Sequence, residues 1–442
     1  DDCDVRTNSW TYYILQQASM QGHIYLPMEE LEAGVKGLLL IDIPDIEKFI
    51  MDLVIDKRLV VKITPDGTKN VYAAIYYYME LSVAKRLTDL EVHTAENEEY
   101  FEKRIAEIEK NTKIELDDIQ KTAVKTAVEN GLMVITGGPG TGKTTVIHGI
   151  LLLDQKLYPD DEVTLAAPTG RAAKRLSELS GREASTLHSL LKWDLETNTF
   201  LVDEKDPLHC DVLIVDEFSM VDNRLFAQLL RGLPANSKLM VIGDYDQLPS
   251  VSSGQVLYDL IASERFPLYS LQRIYRQADG SGIAALASAI REQQPLSFDR
   301  DVRFIDCTPA QLRKAVWEVV ASALEKGYDA KDVQVLAPKY QGGCGIDVLN
   351  QALQEIINPP DAFKHELKVG YRLFREGDKV LQLRNMREDA VYNGDIGEII
   401  EIVPPQEAVG GNAQIIVSFD DQIGFLSDLF TDPFNKSTIS FA

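Results

Sequence analysis

A glycine-rich run at residues 137–144 has the composition and spacing of a phosphate-binding loop. It satisfies the pattern G-x-x-x-x-G-K-[ST] between an apolar run and a stretch of helical character. Glycines let backbone N–H groups wrap phosphates, and the N-terminus of the following helix adds positive potential. We expect Lys143 to reach the β and γ phosphates of ATP and the hydroxyl of Thr144 to bind Mg²⁺. The residues predicted to hold the nucleotide are Gly138, Pro139, Gly140, Thr141, Gly142, Lys143, Thr144 and Thr145.

Two adjacent carboxylates, Asp216 and Glu217, follow the apolar run 212–215. The carboxyl ends of parallel strands meet at one edge of a sheet, so this pair is expected beside the phosphate-binding loop. Asp216 can hold the metal through water, and Glu217 can orient and deprotonate the attacking water. Gln247, in the loop after the next apolar run, reaches the same edge and can sense the γ phosphate. The pattern favours an ATP hydrolase over a protein that only binds nucleotide.

Two arginines, Arg273 and Arg276, lie near the predicted junction of two domains. An arginine there can neutralise the charge that develops on the transferred phosphoryl group. An ordinary surface arginine is the alternative for Arg273, whereas the motif order given below favours a role for Arg276.

The elements that must position these residues follow from hydrophobic periodicity. From residue 132 onward strands and helices alternate, which predicts a parallel sheet with helices on both faces. The predicted strands are 132–136, 163–167, 212–215 and 238–242, and a second set comprises 302–307, 333–337 and 379–383. Short strands at 398–403 and 413–419 indicate the start of a small barrel.

The first 78 residues indicate a separate module. Helical spacing covers 9–22 and 44–57, and two alternating runs, 59–63 and 70–77, flank the turn residues 64–67. Helices followed by a two-stranded wing predict a winged-helix-like module. Such modules often bind DNA, but an acidic local charge makes a packing or protein-contact role at least as consistent with the sequence.

Composition and charge exclude several classes of protein. The chain has 442 residues, 45% of them hydrophobic, with no membrane span and no signal pattern. Its four cysteines are scattered, so neither a disulfide framework nor a zinc knuckle is indicated and a cytoplasmic location is expected. A net charge of −24 argues against a basic nucleic-acid-binding domain. Two local basic patches, at 163–177 and 363–387, could still face a phosphate backbone.

The ordered motifs resemble superfamily 1 helicases of the RecD-like group, the family of the exodeoxyribonuclease V alpha subunit. The resemblance covers roughly residues 112–420. The matching segments are 137–144 (motif I), 167–173 (Ia), 186–188, 216–220 (II), 243–249 (III), 275–277 (IV), 336–338, 345–353, 377–380 and 393–397. The N-terminal module is similar to the segment ahead of the motor in the longer RecD-like proteins.

The resemblance implies ATP-driven 5′→3′ movement on single-stranded DNA, unwinding of tailed duplex DNA, and a role in DNA repair or recombination. Gln120 should read the adenine, and Arg276 should contact the γ phosphate. Thr169, Arg171 and His188 should lie on the DNA. A hairpin within 192–209 resembles the pin with which such helicases separate strands, although the same pattern fits an ordinary surface hairpin.

The expected fold class is α/β: two tandem RecA-like P-loop domains, an N-terminal helical or winged-helix-like module, and the start of a small SH3-like β-barrel insertion. The predicted segments are the module (1–78), a helical connector (79–112), the first RecA-like domain (113–280), an incomplete second one (281–397) and the partial barrel (398–442). We expect a monomer.

The ends of the sequence suggest a fragment. Two later family motifs, one contacting DNA and one placing an arginine on ATP, do not appear before Ala442. The alternative hypothesis for this chain is therefore an ATP-binding DNA clamp or switch without unwinding activity. A relaxase-linked or phage-type helicase with similar motifs is a further alternative.

Overall fold

The computed structural model describes residues 2–39, 46–94, 98–112, 115–138, 140–194, 197–271, 281–298, 301–383, 386, 391, 394–408, 412–419, 422–426 and 439–441. The chain divides into two compact units, Asp1–Asp279 and Gly280–Ala442. None of the described helices is long and apolar enough to cross a membrane. The phosphate-binding loop and both carboxylates belong to the first unit.

The N-terminal module consists of three helices and a three-stranded antiparallel sheet. Its elements are α1 (Asp2–Met20), β1 (Tyr25–Pro27), α2 (Met28–Leu39), α3 (Ile46–Ile55), β2 (Leu59–Ile63) and β3 (Lys69–Ala73). The strand order is β1-β3-β2, and Gly67, with φ of 89°, allows the tight turn between β2 and β3. Leu31, Ile50, Leu53 and Val71 fill its core. The module thus combines helices with the β2–β3 hairpin, and its assignment as winged-helix-like stays a prediction.

The phosphate-binding loop lies in a domain built on a six-stranded parallel sheet of order β11-β4-β10-β9-β5-β6. Two helices, α4 (Ala74–Asp89) and α5 (Glu98–Thr112), lead into it. Its elements are α6 (Asp118–Glu129), β4 (Leu132–Gly137), α7 (Lys143–Leu157), β5 (Val163–Ala167), α8 (Gly170–Ser180), β6 (Ala184–Thr186), α9 (Leu187–Leu190), β7 (Trp193–Asp194), β8 (Thr199–Phe200), β9 (Val212–Val215), α10 (Asn223–Gly232), β10 (Lys238–Gly243), α11 (Val256–Ala262) and β11 (Leu268–Leu271).

The strands of this sheet are apolar on both faces because each face packs against a hydrophobic cluster. On β9, Leu213 and Val215 enter one cluster, whereas Val212 and Ile214 enter the other. This alternation is the two-residue period of a strand. Because all six strands run parallel, the loops after β4, β5, β9 and β10 meet along one edge of the sheet. The predicted nucleotide motifs occupy those loops.

The N-terminal module is fixed to this domain through α4. Arg86 donates hydrogen bonds from Nη2 to the Leu233 carbonyl at 2.8 Å and from Nε to the Leu230 carbonyl at 3.3 Å, at the end of α10. The Gly254 N–H donates to the Gly22 carbonyl at 3.1 Å. The Gly22–Gly254 bond therefore joins the module directly to the nucleotide-binding domain, and the Arg86 side chain joins α4, the helix after the module, to the same domain.

A buried carboxylate on α7 lowers the stability of the domain at neutral pH. Asp154 is 2% exposed, and its Oδ2 atom has no hydrogen-bond partner among the residues that the structure describes. Burial raises the pKa of Asp154 to about 6. The same group ionises at about pH 4 in an unfolded chain, so the folded state loses stability as the pH rises between these values.

We expect Asp154→Asn to raise the free energy of unfolding at pH 7.5 by about 2 kcal/mol, because the amide removes the buried charge. Thermal unfolding at pH 7.5 and pH 4 measures the effect. The gain should shrink to a fraction at pH 4, where folded Asp154 is protonated. A gain of equal size at both pH values, or none at pH 7.5, would contradict the assignment.

The second unit carries a five-stranded antiparallel sheet. Its elements are α12 (Gly282–Arg291), α13 (Pro309–Glu325), α14 (Ile346–Ile357), β12 (Glu366–Val369), β13 (Arg372–Arg375), β14 (Lys379–Gln382), β15 (Ile396–Val403), β16 (Gln414–Phe419), β17 (Gln422–Leu426) and β18 (Ile439–Phe441). Five strands form a sheet of order β17-β16-β15-β14-β18, and β12 pairs with β13. Phe374, Val380, Ile402 and Val417 fill the core of this unit.

Two predicted strands of this unit are absent from the structure. Residues 302–307 and 333–337 are described without regular secondary structure, and no described strand pairs with either segment. A strand needs a neighbour to bond its N–H and C=O groups, so local alternation alone does not make one. The predicted strand 379–383 does form, as β14, but it joins the antiparallel sheet.

Candidate nucleotide-binding site

The phosphate-binding loop connects the end of β4 to the start of α7 through two glycines with positive φ. Gly140 has φ of 78° and Gly142 has φ of 89°, a region that favours glycine. A Cβ atom on Gly137 would lie 2.6 Å from the Thr141 hydroxyl and 2.8 Å from the Leu271 carbonyl oxygen. The loop therefore depends on glycine both for its turns and for its close packing.

Positive potential is concentrated at the start of α7. Lys143 donates hydrogen bonds from Nζ to the carbonyl oxygens of Gly137 at 2.6 Å and Gly138 at 3.1 Å. The capping residue of α7 is Gly142, which has no side chain to bond the first N–H groups of the helix. Thr144 and Thr145 lie in this first turn, so amide donors, hydroxyl groups and an ammonium group meet where an anion would bind.

The two carboxylates follow β9 and lie at the same edge of the sheet. The Glu217 N–H donates to Asp216 Oδ1 at 2.8 Å. Burial raises the pKa of both carboxyl groups, and the positive charges of Lys143 and Arg175 oppose this rise. Glu217 has φ of 51°, a left-handed conformation that is uncommon outside glycine and often found at functional sites. The backbone thus directs two partly buried carboxylates toward the phosphate-binding loop.

One cavity of about 460 Å³ joins these groups. Its lining residues are Glu115, Gln120, Gly138, Gly140, Gly142, Lys143, Thr144, Thr145, Ala172, Arg175, Leu176, Leu179, Asp216, Glu217 and Gln247. Thr141 lies behind the loop, where its hydroxyl donates to the Gly138 carbonyl at 2.9 Å. Pro139, Arg273 and Arg276 fall outside the described residues. Every other residue predicted for nucleotide or metal lines this cavity.

A capping box at the start of α6 orients Gln120. The Gln120 N–H donates to Asp117 Oδ1 at 2.8 Å, and the Asp117 N–H donates to Gln120 Oε1 at 3.1 Å. Gln120 is 2% exposed. Its side chain is therefore held in one conformation in the wall of the cavity.

Gln247 is brought to the cavity by the loop after β10. The Gln247 N–H donates to the Asp244 carbonyl at 3.2 Å, and the Tyr245 N–H donates to the Thr136 hydroxyl on β4 at 3.4 Å. The side chain of Gln247 is exposed to solvent at the cavity wall. The loop thus carries a neutral amide to the phosphate-binding loop from the neighbouring strand.

Arg175 is a cavity residue whose place the sequence does not predict. In the sequence it is one residue of the basic patch at 163–177. On α8, Ala172, Arg175, Leu176 and Leu179 recur at the i, i+3, i+4, i+7 spacing of one helical face, and all four line the cavity. That spacing was the available signal. The guanidinium group adds a second cation near Asp216 and Glu217.

We expect Arg175→Ala to weaken the binding of a non-hydrolysable ATP analogue about tenfold, because a charged donor to phosphate is lost. Fluorescence titration with a labelled analogue measures the change. Arg171→Ala is the matched control, since Arg171 lies one turn earlier on α8 and does not line the cavity. Equal affinities in the two variants would remove Arg175 from the nucleotide site.

The residues predicted to contact DNA lie outside this cavity. Thr169 caps α8, and its hydroxyl accepts a hydrogen bond from the Ala172 N–H at 3.3 Å. Arg171 is exposed in the first turn of that helix. His188 lies on α9, after the edge strand β6, and burial lowers the pKa of its imidazole. The DNA contacts of these three residues remain predictions.

The residues for a metal ion fit Mg²⁺ carried by a nucleotide. Thr144 and Asp216 line the cavity together. Within the described ranges, no group of three or more His, Cys, Asp or Glu side chains could hold a metal ion. Mg²⁺ commonly keeps several waters and binds through one or two protein ligands plus substrate phosphates. A hydroxyl, a carboxylate and a phosphate-binding loop satisfy that requirement.

Comparison with known proteins identifies two parts of the chain. A family model described as an AAA domain matches residues 120–253, which contain the phosphate-binding loop and both carboxylates. A model described as the ATP-dependent RecD-like DNA helicase SH3 domain matches residues 349–419, which contain most of α14 and strands β12–β16. The two matches correspond to the parallel-sheet domain and to the antiparallel part of the second unit.

Curated relatives match across both parts. The ATP-dependent RecD2 DNA helicase of Deinococcus radiodurans is 29% identical over 95% of this chain and 57% of its own length. The RecBCD enzyme subunit RecD of Mycolicibacterium smegmatis is 30% identical over 66% of this chain and 59% of its own length. The chain thus spans somewhat more than half the length of these relatives. A solved structure of Pif1 helicases covers 74% of the chain at 18% identity, with a TM-score of 0.43. On the sequence matches, the chain is similar to RecD-like DNA helicases in both its parallel-sheet domain and its antiparallel part.

Proposed function

We propose that this chain is the ATP-hydrolysing part of a DNA helicase that moves 5′→3′ along single-stranded DNA and unwinds tailed duplexes. One observation carries the proposal: Lys143, Asp216 and Glu217 line one cavity with the N-terminus of α7. Phosphate-binding groups alone would serve a nucleotide binder. A partly buried carboxylate beside them supplies the base that hydrolysis requires.

The cavity residues have distinct roles in this proposal. Amide groups of the loop and of α7 hold the phosphates of ATP, and Lys143 neutralises the β and γ phosphates. Thr144 and Asp216 would hold Mg²⁺ bound with ATP, and the ion would offset the negative charge of the phosphates. Glu217 accepts a proton from the attacking water, whose oxygen bonds to the γ phosphorus. The bond from that phosphorus to the bridging oxygen breaks, releasing ADP and phosphate.

Three further residues complete the proposed nucleotide site. Gln120 binds the adenine edge, and its fixed orientation in the α6 capping box supports this role. Gln247 senses the γ phosphate from the loop after β10. Arg276 stabilises charge on the transferred phosphoryl group, a role that rests on the sequence motif.

The DNA track is proposed to follow the sheet edge outward from the nucleotide. Thr169 and Arg171 follow β5, and His188 follows β6, the strand next to β5 at the sheet's edge. The hairpin β7–β8 would act as the pin that separates strands. We propose a monomeric protein that works in DNA repair or recombination in the cytoplasm, where scattered free cysteines are expected.

Polarity assays test this proposal. ATP hydrolysis is measured with and without a dT oligonucleotide, and unwinding is compared on 5′-tailed and 3′-tailed duplexes. DNA-stimulated hydrolysis with unwinding of only the 5′-tailed duplex supports the proposal. Unwinding of only the 3′-tailed duplex contradicts the polarity, and DNA binding without hydrolysis favours the clamp or switch.

A further inference from the structure

A second large cavity in the first unit lies between the N-terminal module and the β7–β8 hairpin. Its volume is about 770 Å³, larger than the nucleotide cavity. One wall comes from the end of α1 and from Tyr76 and Met79 of α4. The facing wall contains Trp193 and Phe200 of the hairpin, together with His188. The lining thus comes from the end of α1, from α4 and from the nucleotide-binding domain.

Aromatic rings dominate the wall formed by the hairpin. The ring centroids of Trp193 and Phe200 are 4.5 Å apart, and the His188 ring lies 5.7 Å from Phe200 and 6.0 Å from Trp193. The guanidinium carbon of Arg224 lies 5.5 Å from the centre of the Trp193 ring. These contacts hold the rings in one cluster, so the cavity has a preformed aromatic surface.

The charges around this cavity nearly cancel. Arg224 and Asp222 are its charged lining residues, and Asp222 Oδ1 is occupied in accepting a hydrogen bond from the Leu225 N–H at 2.7 Å. Burial lowers the pKa of His188, which favours its neutral form. Such a surface does not select a phosphate backbone. It suits a flat, weakly polar group such as a nucleobase, which stacks on aromatic side chains in sequence-tolerant sites.

The cavity lies next to the proposed DNA track. His188 belongs both to that track and to the aromatic wall. The opposite wall is anchored, because Gly254 bonds to Gly22 just after α1, and Arg86 of α4 bonds to the end of α10. A base that leaves the track at the hairpin would therefore meet two fixed surfaces.

We infer that this cavity accepts nucleobases of single-stranded DNA, stacked between the hairpin cluster and the face of α4 that carries Tyr76 and Met79. The sugar-phosphate backbone stays outside in solvent. The end of α1 in the N-terminal module and the helix α4 that follows the module are thus direct DNA-contacting parts of the protein, although the sequence of the module is acidic. This inference rests on the proposed function, since it takes single-stranded DNA as the ligand.

Intrinsic fluorescence provides the first test. The chain has three tryptophans, so Trp10→Phe with Trp317→Phe leaves Trp193 as the sole reporter. A dT oligonucleotide of about 16 nucleotides should quench Trp193, because bases stack on aromatic rings. If the cavity instead binds a protein segment, the oligonucleotide should leave the fluorescence of Trp193 unchanged. That result would overturn the inference.

Variants of α4 provide the second test. The double variant Tyr76→Ala with Met79→Ala should bind the oligonucleotide at least about fivefold more weakly than wild type. The matched control is Tyr78→Ala, since Tyr78 lies on the same helix, is 56% exposed and does not line the cavity. Tyr76→Phe, which keeps the ring, should retain wild-type affinity. Equal affinities in the double variant and the Tyr78→Ala control would overturn the inference.

Salt dependence separates this contact from a phosphate contact. The slope of log affinity against log salt should stay unchanged in the α4 double variant, because no phosphate contact is lost. Arg171→Ala should reduce that slope by about 0.7, the value for one phosphate of a single strand. A reduced slope in the α4 variant would overturn the base-stacking assignment.

The outcomes also separate this inference from the proposed function. If the wild-type chain binds no oligonucleotide, the proposed function fails as well. If the chain binds DNA but Trp193 fluorescence and the Tyr76 variant show no effect, only the inference fails.

Discussion

Replacing Lys143 with alanine is expected to lower the affinity for Mg·ATP at least about a hundredfold and to reduce hydrolysis below detection. Nζ already lies against the loop carbonyl oxygens of Gly137 and Gly138, so a bound phosphate would meet a cation at short range. Backbone N–H groups carry only partial charges and cannot replace a full positive charge beside two phosphates. Isothermal titration with a non-hydrolysable analogue and steady-state hydrolysis measure both effects.

Lys156→Ala is the matched control for this variant. Lys156 belongs to the same helix, α7, but its ammonium group lies 3.7 Å from Glu107 near the far end. Such a surface pair contributes little to stability, so the control should fold and bind ATP like wild type. If Lys143→Ala hydrolysed ATP at more than about a tenth of the wild-type rate, Lys143 would not be the phosphate-binding cation.

The nucleotide-binding edge of the sheet could be predicted because each of its motifs is a short, continuous stretch of the sequence. The glycine spacing at 137–144 requires a loop with positive φ, which the structure contains at Gly140 and Gly142. The apolar run 212–215 is too short for an ordinary helix and is buried on both faces, as in a central parallel strand. A strand of this kind delivers Asp216 and Glu217 to the sheet edge without any knowledge of distant contacts.

The function of Arg175 could not be predicted from charge. Arg171 and Arg175 are four residues apart on α8, and a net positive stretch fits either a phosphate backbone or a nucleotide. The rotation of α8 on the sheet decides between them, and it depends on packing of Ala173 and Leu176 against neighbouring elements. Only the structure supplies that rotation, and it directs Arg175 to the nucleotide cavity.

The sequence does not predict helix α2, because two glycines interrupt its helical pattern. Gly34 and Gly37 lower helix propensity within Met28–Leu39. Tertiary packing overrides this cost, since Leu31 and Val35 are fully buried on one face. A Cβ atom on Gly34 would lie 3.2 Å from Ile14 Cδ1, so a glycine permits α1 and α2 to approach closely.

The strands of the second unit show why alternation is ambiguous. Lys379–Gln382 alternates between partly buried and buried residues, a pattern shared by barrel strands and by half-buried strands of other sheets. Its partner strands decide which kind of sheet it joins, and β14 pairs antiparallel with both β15 and β18. Register and partner choice depend on residues far away in the sequence, and hydrophobic period does not encode them.

Glu217→Gln is expected to retain ATP binding and to lose hydrolysis by at least about a hundredfold. The amide keeps the size of the side chain but cannot accept the proton of the attacking water at neutral pH. The loop that carries Glu217 should keep its shape, because its left-handed backbone and the bond from its N–H to Asp216 do not involve the substituted atoms. Steady-state hydrolysis and analogue binding, measured on the same preparation, separate the two effects.

Glu115→Gln tests whether this loss is specific. Glu115 lines the same cavity and undergoes the same chemical change, but it precedes α6 and lies outside the motif after β9. Removing a negative charge from the cavity wall should strengthen or leave unchanged the binding of ATP, a polyanion, in both variants. Only Glu217→Gln should abolish turnover, since only Glu217 is assigned to the water. Hydrolysis above about a tenth of wild type in Glu217→Gln, or an equal loss in Glu115→Gln, would show that the general base is another group.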